Sequence, residues 1–254
     1  MQNPLKPEPE FFPFLNTAGT GKYNPKFVII LKSMKKELTF ESIKNNKEIR
    51  TYLEFTDTAF ARMGYKEHGM RHSLFAADVA GQVLKYLGYG QRQQELAKIA
   101  AYLHDMGNII SKHDHDQSGA VMFLNILDAE EYGEDAFAVA SAIGCHEDKN
   151  MDPVSPIAAA AVLGDKTDVR HERLRTEDMH QLDKHSKVIA ACRKVDVIVD
   201  KERAAISLRV NINTSVCSVM DYFEIFLART NYCKRASRVL KCSFELYING
   251  DIFL

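Results

Sequence analysis

The sequence has few cysteines, no excess of charge of one sign and no long apolar run. The five cysteines are widely spaced and form no C-x-x-C pair, which argues against a disulfide framework or a zinc knuckle and indicates reduced thiols in a cytoplasmic protein. Thirty-three basic residues balance thirty-four acidic ones, so no global charge attracts a polyanion and DNA binding is not expected. No apolar run approaches the roughly 18 residues of a membrane span, so membrane association is not expected either.

Prolines are also scarce, and four of the seven fall within the first thirteen residues. We predict that residues 1–38 form a poorly ordered N-terminal extension, with Met34 as an alternative start. Helical periodicity continues over residues 39–186, and strand patterns with one long helix follow over residues 187–254. The sequence therefore predicts a mainly α protein, with a helical domain followed by a small α/β domain.

The apolar spacing within these two domains predicts individual elements. In the first domain, helices are expected at about 48–63, 70–87, 95–106, 117–127, 134–145 and 157–169. The second domain is expected to have the order β-β-α-β-β, closed by an Asn-Gly turn. Its helix, at residues 215–240, is predicted to bury Met220, Phe223, Phe226 and Leu227.

A histidine and an aspartate stand side by side at the end of the third long helix, as His104-Asp105, just before Gly107. An imidazole nitrogen and a carboxylate suit one divalent cation of borderline to hard character. Taken alone, such a pair is typical of a solvated helix end. Four further candidate ligands fall in or beside helical segments, namely His72, His115, His146 and Asp165. Each of them also has a structural explanation as a capping, solvated or hydrogen-bonded residue, but their joint occurrence favours a metal site.

The candidate ligands divide into two sets. One ion is predicted to bind a set drawn from three helices, namely His72, His104, Asp105 and Asp165. His115 and His146 are predicted to hold a second ion, with Asp105 bridging the two. Imidazole is a poor ligand for calcium, so we expect Mn, Fe, Ni or Zn. Paired metals of this kind activate water for hydrolysis of phosphate esters.

The order His72, His104-Asp105, Asp165 resembles the motif of the HD-domain superfamily of metal-dependent phosphohydrolases, over about residues 68–175. This resemblance implies an HD-type helical bundle and hydrolysis of a phosphomonoester or phosphodiester. Residues 115–119 and 145–147 resemble the additional histidine motifs of the two-metal branch, which includes the HD-GYP phosphodiesterases. This chain has Asn108 and Cys145 where that branch has lysine and histidine, and it lacks the Gly-Tyr-Pro loop. The resemblance therefore does not extend to cyclic-dinucleotide specificity.

Several charged residues near the candidate ligands are assigned supporting roles. Lys166, Arg170 and Arg173 follow Asp165 at helical spacing and are predicted to neutralise substrate phosphates, although a solvated basic helix end explains them equally well. Glu147 is predicted to assist proton transfer to a leaving group. Asp105, Glu147 and Lys166 make up the predicted catalytic set. The unsupported histidines are expected to lie on the surface, namely His113, His171, His180 and His185.

Two functions from different classes are compatible with these features. The favoured one is hydrolysis of a small phosphorylated substrate, with a nucleotide preferred, by metal-activated water. The alternative is a non-catalytic sensor or scaffold that binds metal or nucleotide and signals through the C-terminal domain. The complete ligand set favours the enzyme. The native metal, the substrate and a homodimeric state are left open.

Overall fold

A computed structural model describes residues 36–127, 129–176, 178, 180 and 182–254. Residues 1–35, which make up most of the predicted N-terminal extension, lie outside the described residues. Lys36–Leu254 form one compact unit with a continuous core of buried apolar side chains. Across the described segments, no helix combines the length and apolar character required to cross a membrane.

Helices dominate the first three quarters of the described chain, as the periodicity predicts. They are α1 (Phe40–Lys44), α2 (Lys47–Arg62), α3 (Met70–Leu87), α4 (Gln91–Leu103), α5 (His115–Ile126), α6 (Ala129–Tyr132), α7 (Glu134–Gly144), α8 (Pro156–Lys166) and α9 (Lys184–Ala191). Two short 3-10 helices lie at Met106–Ile109 and His171–Arg173. A mainly α fold with a small C-terminal sheet is therefore confirmed.

Helix α8 lies at the centre of the bundle, with every residue from Ile157 to Lys166 buried. Its run of alanines and Gly164 lets neighbouring helices approach closely, because small side chains leave room for backbone contact. A Cβ atom added to Gly164 would lie 2.3 Å from the carbonyl oxygen of Ala76 in α3. The short side chains therefore hold α3 and α8 close together, and each of these helices carries a candidate ligand.

A second close approach involves the 3-10 turn that follows α4. A Cβ atom added to Gly107 would lie 2.0 Å from the carbonyl oxygen of His115, and 2.5 Å from the backbone nitrogen of Gly119. Only glycine fits between the turn and α5 at this distance. This contact sets the His104-Asp105 pair against the start of α5.

The C-terminal residues form a four-stranded sheet and one long helix, in the predicted order β-β-α-β-β. The elements are β1 (Cys192–Asp200), β2 (Ala205–Ile212), α10 (Val219–Val239), β3 (Ser243–Ile248) and β4 (Asp251–Ile252). β1 and β2 are antiparallel, β2 and β3 are parallel with Leu208 opposite Leu246, and β3 and β4 are antiparallel. The long helix α10 supplies the crossover that the parallel pair requires. The predicted boundary between residues 186 and 187 falls inside α9, and the division into two domains stays a prediction.

The buried face of α10 differs from the predicted one. Met220 and Leu227 were expected in the core, but they are 73% and 52% exposed. The residues that are buried include Tyr222, Phe226 and Cys233, which are four and seven residues apart and so share one stripe of the helix. The sequence offers two apolar stripes on this helix, and packing selects the one that also contains Thr230. The prediction was correct for Phe226 and wrong for Met220 and Leu227, and Phe223 is half-buried against the core.

Candidate metal centre

The structure brings all six candidate ligands together. His72 lies in the first turn of α3, His104 and Asp105 follow α4, His115 begins α5, His146 follows α7, and Asp165 lies near the end of α8. All six are buried, with residue exposures of 6% or less. Among the described residues, three overlapping sets each have donor atoms within 4.8 Å of one another: His72, His104 and Asp165; His104, Asp105 and His146; and His115, His146 and Glu147.

His72 and His104 form the first pair of facing imidazoles. The Nδ1 of His72 lies 2.8 Å from a carboxylate oxygen of Asp168, and the Nδ1 of His104 lies 2.7 Å from the carbonyl oxygen of Ala101. Because these acceptors require a proton on each Nδ1, each neutral ring presents a lone pair at Nε2. The two Nε2 atoms nevertheless lie only 3.2 Å apart. A cation or a proton between them relieves the repulsion of two lone pairs.

His115 and His146 form a second pair with the same geometry. Their Nδ1 atoms lie 3.1 Å from the carbonyl oxygen of Lys112 and 2.7 Å from that of Ile143. Their Nε2 atoms face each other at 3.1 Å. In each histidine pair, the two Nε2 lone pairs therefore point at each other. This arrangement is expected of metal-binding histidines whose Nδ1–H groups donate to backbone carbonyl or carboxylate oxygens.

Asp105 lies between the two histidine pairs. Its Oδ2 is 3.3 Å from the Nε2 of His104, and its Oδ1 is 3.2 Å from the Nε2 of His115. Asn108 donates a hydrogen bond of 2.8 Å to the same Oδ1. One carboxylate therefore presents a separate oxygen to each pair. On the far side of the first pair, the Oδ1 of Asp165 lies 3.5 Å from the Nε2 of His72.

The charges within the cluster reinforce one another. Burial alone would raise the pKa of Asp105, but the imidazoles of His104 and His115 hold that pKa well below its usual range. Although burial favours the neutral ring, the hydrogen bond and charge of Asp105 raise the pKa of His115 to about 9. Burial and the neighbouring charges of His104 and Lys166 lower the pKa of His146. The raised pKa of His115 reflects the negative charge of Asp105, which would equally favour a bound cation at this pair.

The residues fit a divalent metal. Imidazole nitrogens and carboxylate oxygens together suit a borderline transition ion, and the tautomers leave the required lone pairs free. Metal and proton compete for the same Nε2 of His115, so metal binding there depends on pH. The clusters are therefore compatible with divalent metal binding, and the identity of the metal is open.

Sequence reasoning missed Asp168, which orients His72. Burial alone would raise the pKa of its carboxyl, but the hydrogen bond to His72 and the charge of Arg173 hold that pKa far below its usual range. Arg170 donates a further hydrogen bond of 2.8 Å to Asp168. An ionised carboxylate behind a ligating histidine fixes its tautomer and makes it a better donor to metal. The signal was an aspartate three residues after Asp165, one turn along the same segment.

Lys166 and Glu147 form an ion pair at the edge of the cluster. The Nζ of Lys166 lies 2.5 Å from the Oε1 of Glu147 and 2.6 Å from the Oδ2 of Asp165. Lys166 is only 3% exposed, whereas the Glu147 side chain is 44% exposed at the mouth of the cleft. Lys166 therefore acts on its two carboxylate partners, and Glu147 can reach solvent and a bound molecule.

Arg170 and Arg173 have structural partners away from the cleft. The guanidinium of Arg173 is buried and donates to the carbonyl oxygens of Glu67, at 2.9 and 3.1 Å, and of Asp168, at 3.3 Å. Arg170 pairs with Asp168 and lies over the ring of Phe75, 3.6 Å from its centroid. Neither arginine lines the cleft at the metal cluster. Their assignment to phosphate binding stays a prediction that this geometry does not favour.

A cleft of about 340 Å³ opens onto the cluster. The candidate ligands at its base are Asp105, His115 and Asp165. Its walls add cationic and histidine side chains that the sequence analysis did not select, namely Lys66, His68, Lys112, His185 and Arg229. His185 was predicted to lie on the surface, yet it faces this cleft because α9 packs beside α10. His68 had no recognisable pattern, since it precedes α3 in an irregular segment.

Comparison with known proteins supports this description of the site. Residues 69–194 match the model of the HD domain family, and this segment contains all six candidate ligands. A Ribonuclease Y from Petrotoga mobilis is 29% identical over 143 residues, covering 56% of this chain and 26% of the relative. Ribonuclease Y 2 from Levilactobacillus brevis is 27% identical over 174 residues, covering 63% of this chain and 31% of the relative.

A third relative, an uncharacterized protein from Methanocaldococcus jannaschii, is 26% identical over 107 residues, covering 36% of this chain and 41% of the relative. The chain thus spans between about a quarter and two fifths of the length of these three relatives. The family match includes the helices that carry the histidine and aspartate cluster. Through residues 69–194, the chain is similar to the HD domain family.

Proposed function

We propose that this chain is a metal-dependent phosphohydrolase that cleaves a phosphomonoester or phosphodiester, with a nucleotide as the preferred substrate. The observation that carries the proposal is the geometry of the two histidine pairs. The Nε2 atoms face each other at 3.2 Å in the first pair and at 3.1 Å in the second, and Asp105 lies between the pairs. Such convergence of lone pairs is costly unless a cation or a proton lies between them, and the nearby carboxylates favour a metal cation. The family match supports the same reaction class.

We assign His72, His104, Asp105 and Asp165 to one ion. Asp105, His115 and His146 are assigned to a second, because the two oxygens of Asp105 face different histidine pairs. Bound divalent metals would supply a nucleophilic water near neutral pH and neutralise phosphoryl oxygens. Mn, Fe, Ni and Zn match this donor set.

The remaining side chains of the cleft are assigned to the substrate. Lys66 and Lys112 line the cleft beside the cluster, where a phosphate would enter. Burial and the charge of Arg229 lower the pKa of Lys66, so Lys112 is assigned as the positive charge for the phosphate. Lys112 also lies over the ring of Tyr65, 4.3 Å from its centroid. Glu147, held by Lys166, is assigned to proton transfer to the leaving group. In this scheme Lys166 acts by orienting Glu147 and Asp165.

A second candidate function is a non-catalytic sensor that binds metal or nucleotide and signals through the C-terminal residues. The observation that favours it is Arg229 of α10, which lines the cleft at the cluster. The enzyme would hydrolyse its bound substrate, whereas the sensor would bind its ligand without hydrolysing it. A cytoplasmic location and a homodimeric state stay predictions.

The test begins with metal analysis of protein purified without chelator, followed by a substrate screen with added manganese. Nucleoside monophosphates, cyclic nucleotides and short RNA should be included, the last because two of the relatives are ribonucleases Y by name. We expect Asp105→Ala to abolish both metal retention and hydrolysis while the helical fold remains, because its two carboxylate oxygens face the two histidine pairs. His113→Ala, which alters an exposed histidine outside the cluster, is the matched control and should be silent.

Three results would count against the proposal or a part of it. A parent protein that neither retains nor takes up a transition metal would exclude the metal centre. A metal-loaded protein that hydrolyses none of the phosphate esters would instead favour the sensor. Equal loss in both variants with native circular dichroism would show that the wrong histidine beside Lys112 was selected.

A further inference from the structure

Helix α10 lies beyond the segment that matches the HD domain family, yet one stripe of it contacts the metal centre. Arg229, Tyr232 and Arg235 occur at intervals of three residues, so they lie close together along one side of the helix. All three side chains reach backbone carbonyl groups of segments that carry candidate ligands. We refer to these three residues as the α10 stripe.

Arg229 holds the end of α8. Its Nη1 donates to the carbonyl oxygens of Asp165, at 3.3 Å, and Asp168, at 3.4 Å. Its Nη2 lies 3.8 Å from the Oδ1 of Asp165. The last carbonyl groups of a helix have no partner within the helix, and a cation there is favourable. Arg229 thus fixes a segment that carries one candidate ligand and the carboxylate that orients His72.

Tyr232 and Arg235 hold the loop that follows His146. The Tyr232 hydroxyl donates a hydrogen bond of 2.7 Å to the carbonyl oxygen of Glu147. Arg235 donates to three successive parts of this loop, the carbonyl oxygens of Asp148 at 2.7 Å, Lys149 at 3.0 Å and Met151 at 2.7 Å. A planar guanidinium can satisfy several carbonyls at once, whereas the compact ammonium of lysine cannot reproduce that fork.

The contacts of Arg229 with the end of α8 and those of Tyr232 with the loop after His146 meet at Lys166. Its Nζ binds Asp165 and Glu147 and lies over the ring of Tyr232, 4.9 Å from the centroid. The stripe therefore bridges α8, which supplies Asp165, and the loop that begins at His146. These two segments contribute to different halves of the histidine and carboxylate cluster.

We propose that the α10 stripe consists of positioning residues for the metal centre, which set the separation of Asp165 from His146 and Glu147. The inference rests on the proposed metal function of the cluster. Helix α10 is then an integral part of the site, although it lies outside the HD family match. Loss of groups that support ligands in this way lowers metal affinity by roughly 10- to 100-fold.

The test uses the full chain with Tyr232→Phe, Arg235→Ala and Arg235→Lys. Arg238→Ala is the matched control, because Arg238 lies one turn further along α10, is 68% exposed and only approaches Asp152, at 3.7 Å. Cobalt(II) is titrated into metal-free protein and followed by its visible absorption, which reports coordination geometry. Thermal unfolding of the metal-free proteins is measured alongside.

We expect Arg235→Ala to weaken cobalt binding by about tenfold and to change the absorption spectrum, with a smaller effect for Tyr232→Phe. Arg235→Lys should rescue only part of the affinity, and Arg238→Ala should match the parent. If Arg235→Ala does not fold, Tyr232→Phe, which removes a single hydroxyl, decides the question.

The inference is overturned if the stripe variants bind cobalt with the parent's affinity and spectrum, even if their melting temperatures fall, since a purely structural role predicts that result. A parent protein that binds no cobalt overturns the proposed metal function itself, and the inference with it. The two failures are therefore distinguishable.

Discussion

Replacing Gly164 by alanine tests whether the close approach of α3 and α8 builds the site. The added Cβ would lie 2.3 Å from the carbonyl oxygen of Ala76 and 3.0 Å from its carbonyl carbon. Both obstacles are backbone atoms, so no side chain can rotate away. An ordinary contact requires about 3.5 Å, so the two helices must separate locally by about 1 Å.

The size of the effect follows from two opposing contributions. Overpacking of a well-packed core costs about 1–3 kcal/mol, and rigid backbone obstacles place this site at the upper end. Replacing a helical glycine by alanine recovers up to about 1 kcal/mol. We therefore expect a loss of about 2 kcal/mol in the free energy of unfolding, which lowers the melting temperature of a chain of this size by about 4–8 °C.

Gly144→Ala is the control, because its Cβ would lie 3.5 Å from the Cβ of Ala120, an ordinary contact. This variant should be as stable as the parent or slightly more so. Thermal unfolding followed by circular dichroism measures both variants, and a metal titration checks that Gly164→Ala also weakens binding, because His72 and Asp165 move apart. A Gly164→Ala melting temperature at or above that of Gly144→Ala would refute the reasoning.

Three further outcomes are expected. His146→Ala should lower the metal content by about one equivalent relative to the parent, as measured by elemental analysis, and an unchanged ratio would show that the site is mononuclear. Arg173→Lys should lower the melting temperature, because two carbonyl groups lose buried donors. A phosphate-binding role would instead require a higher KM for a phosphate ester. Burial and the charges of Lys66 and Arg229 lower the pKa of His185 to about 4. Because the unfolded chain, with a histidine pKa of about 6.5, binds the proton more readily, the free energy of unfolding should fall as the pH drops from about 6.5 towards 4. His185→Gln should flatten this pH dependence in acid unfolding curves.

Helix positions were predictable because their signals are local. The prediction for α3 matches the observed bounds, Met70–Leu87, since Gly88 ends the helix in a left-handed conformation with φ of 87°. The helix that carries His104 was expected to continue to residue 106, but the chain tightens into a 3-10 turn at Met106–Ile109. That change of geometry depends on the contact of Gly107 with α5, which no local pattern records.

The clustering of the six candidate ligands was also predictable, because imidazole and carboxylate groups are unexpected in alanine-rich helices. The cleft residues were not. Lys66 and His68 lie in the irregular segment between α2 and α3, and Arg229 lies on a helix whose amphipathic pattern allowed two orientations. Selecting among such orientations requires the packing of the whole chain, and the error at Met220 and Leu227 has the same origin.

The basic residues after Asp165 show why spacing alone is insufficient for assigning roles. Lys166, Arg170 and Arg173 were grouped because helical spacing brought all three near the cluster. The helix ends at Lys166, however, so the two arginines leave its axis and pair with the carboxylate or the carbonyl oxygen of Asp168. An arginine whose N–H groups already donate to buried carboxylate or carbonyl oxygens has few donors left for a substrate. The proposed function therefore assigns the phosphate charge to Lys112, which lines the cleft and lies outside the segment that follows Asp165.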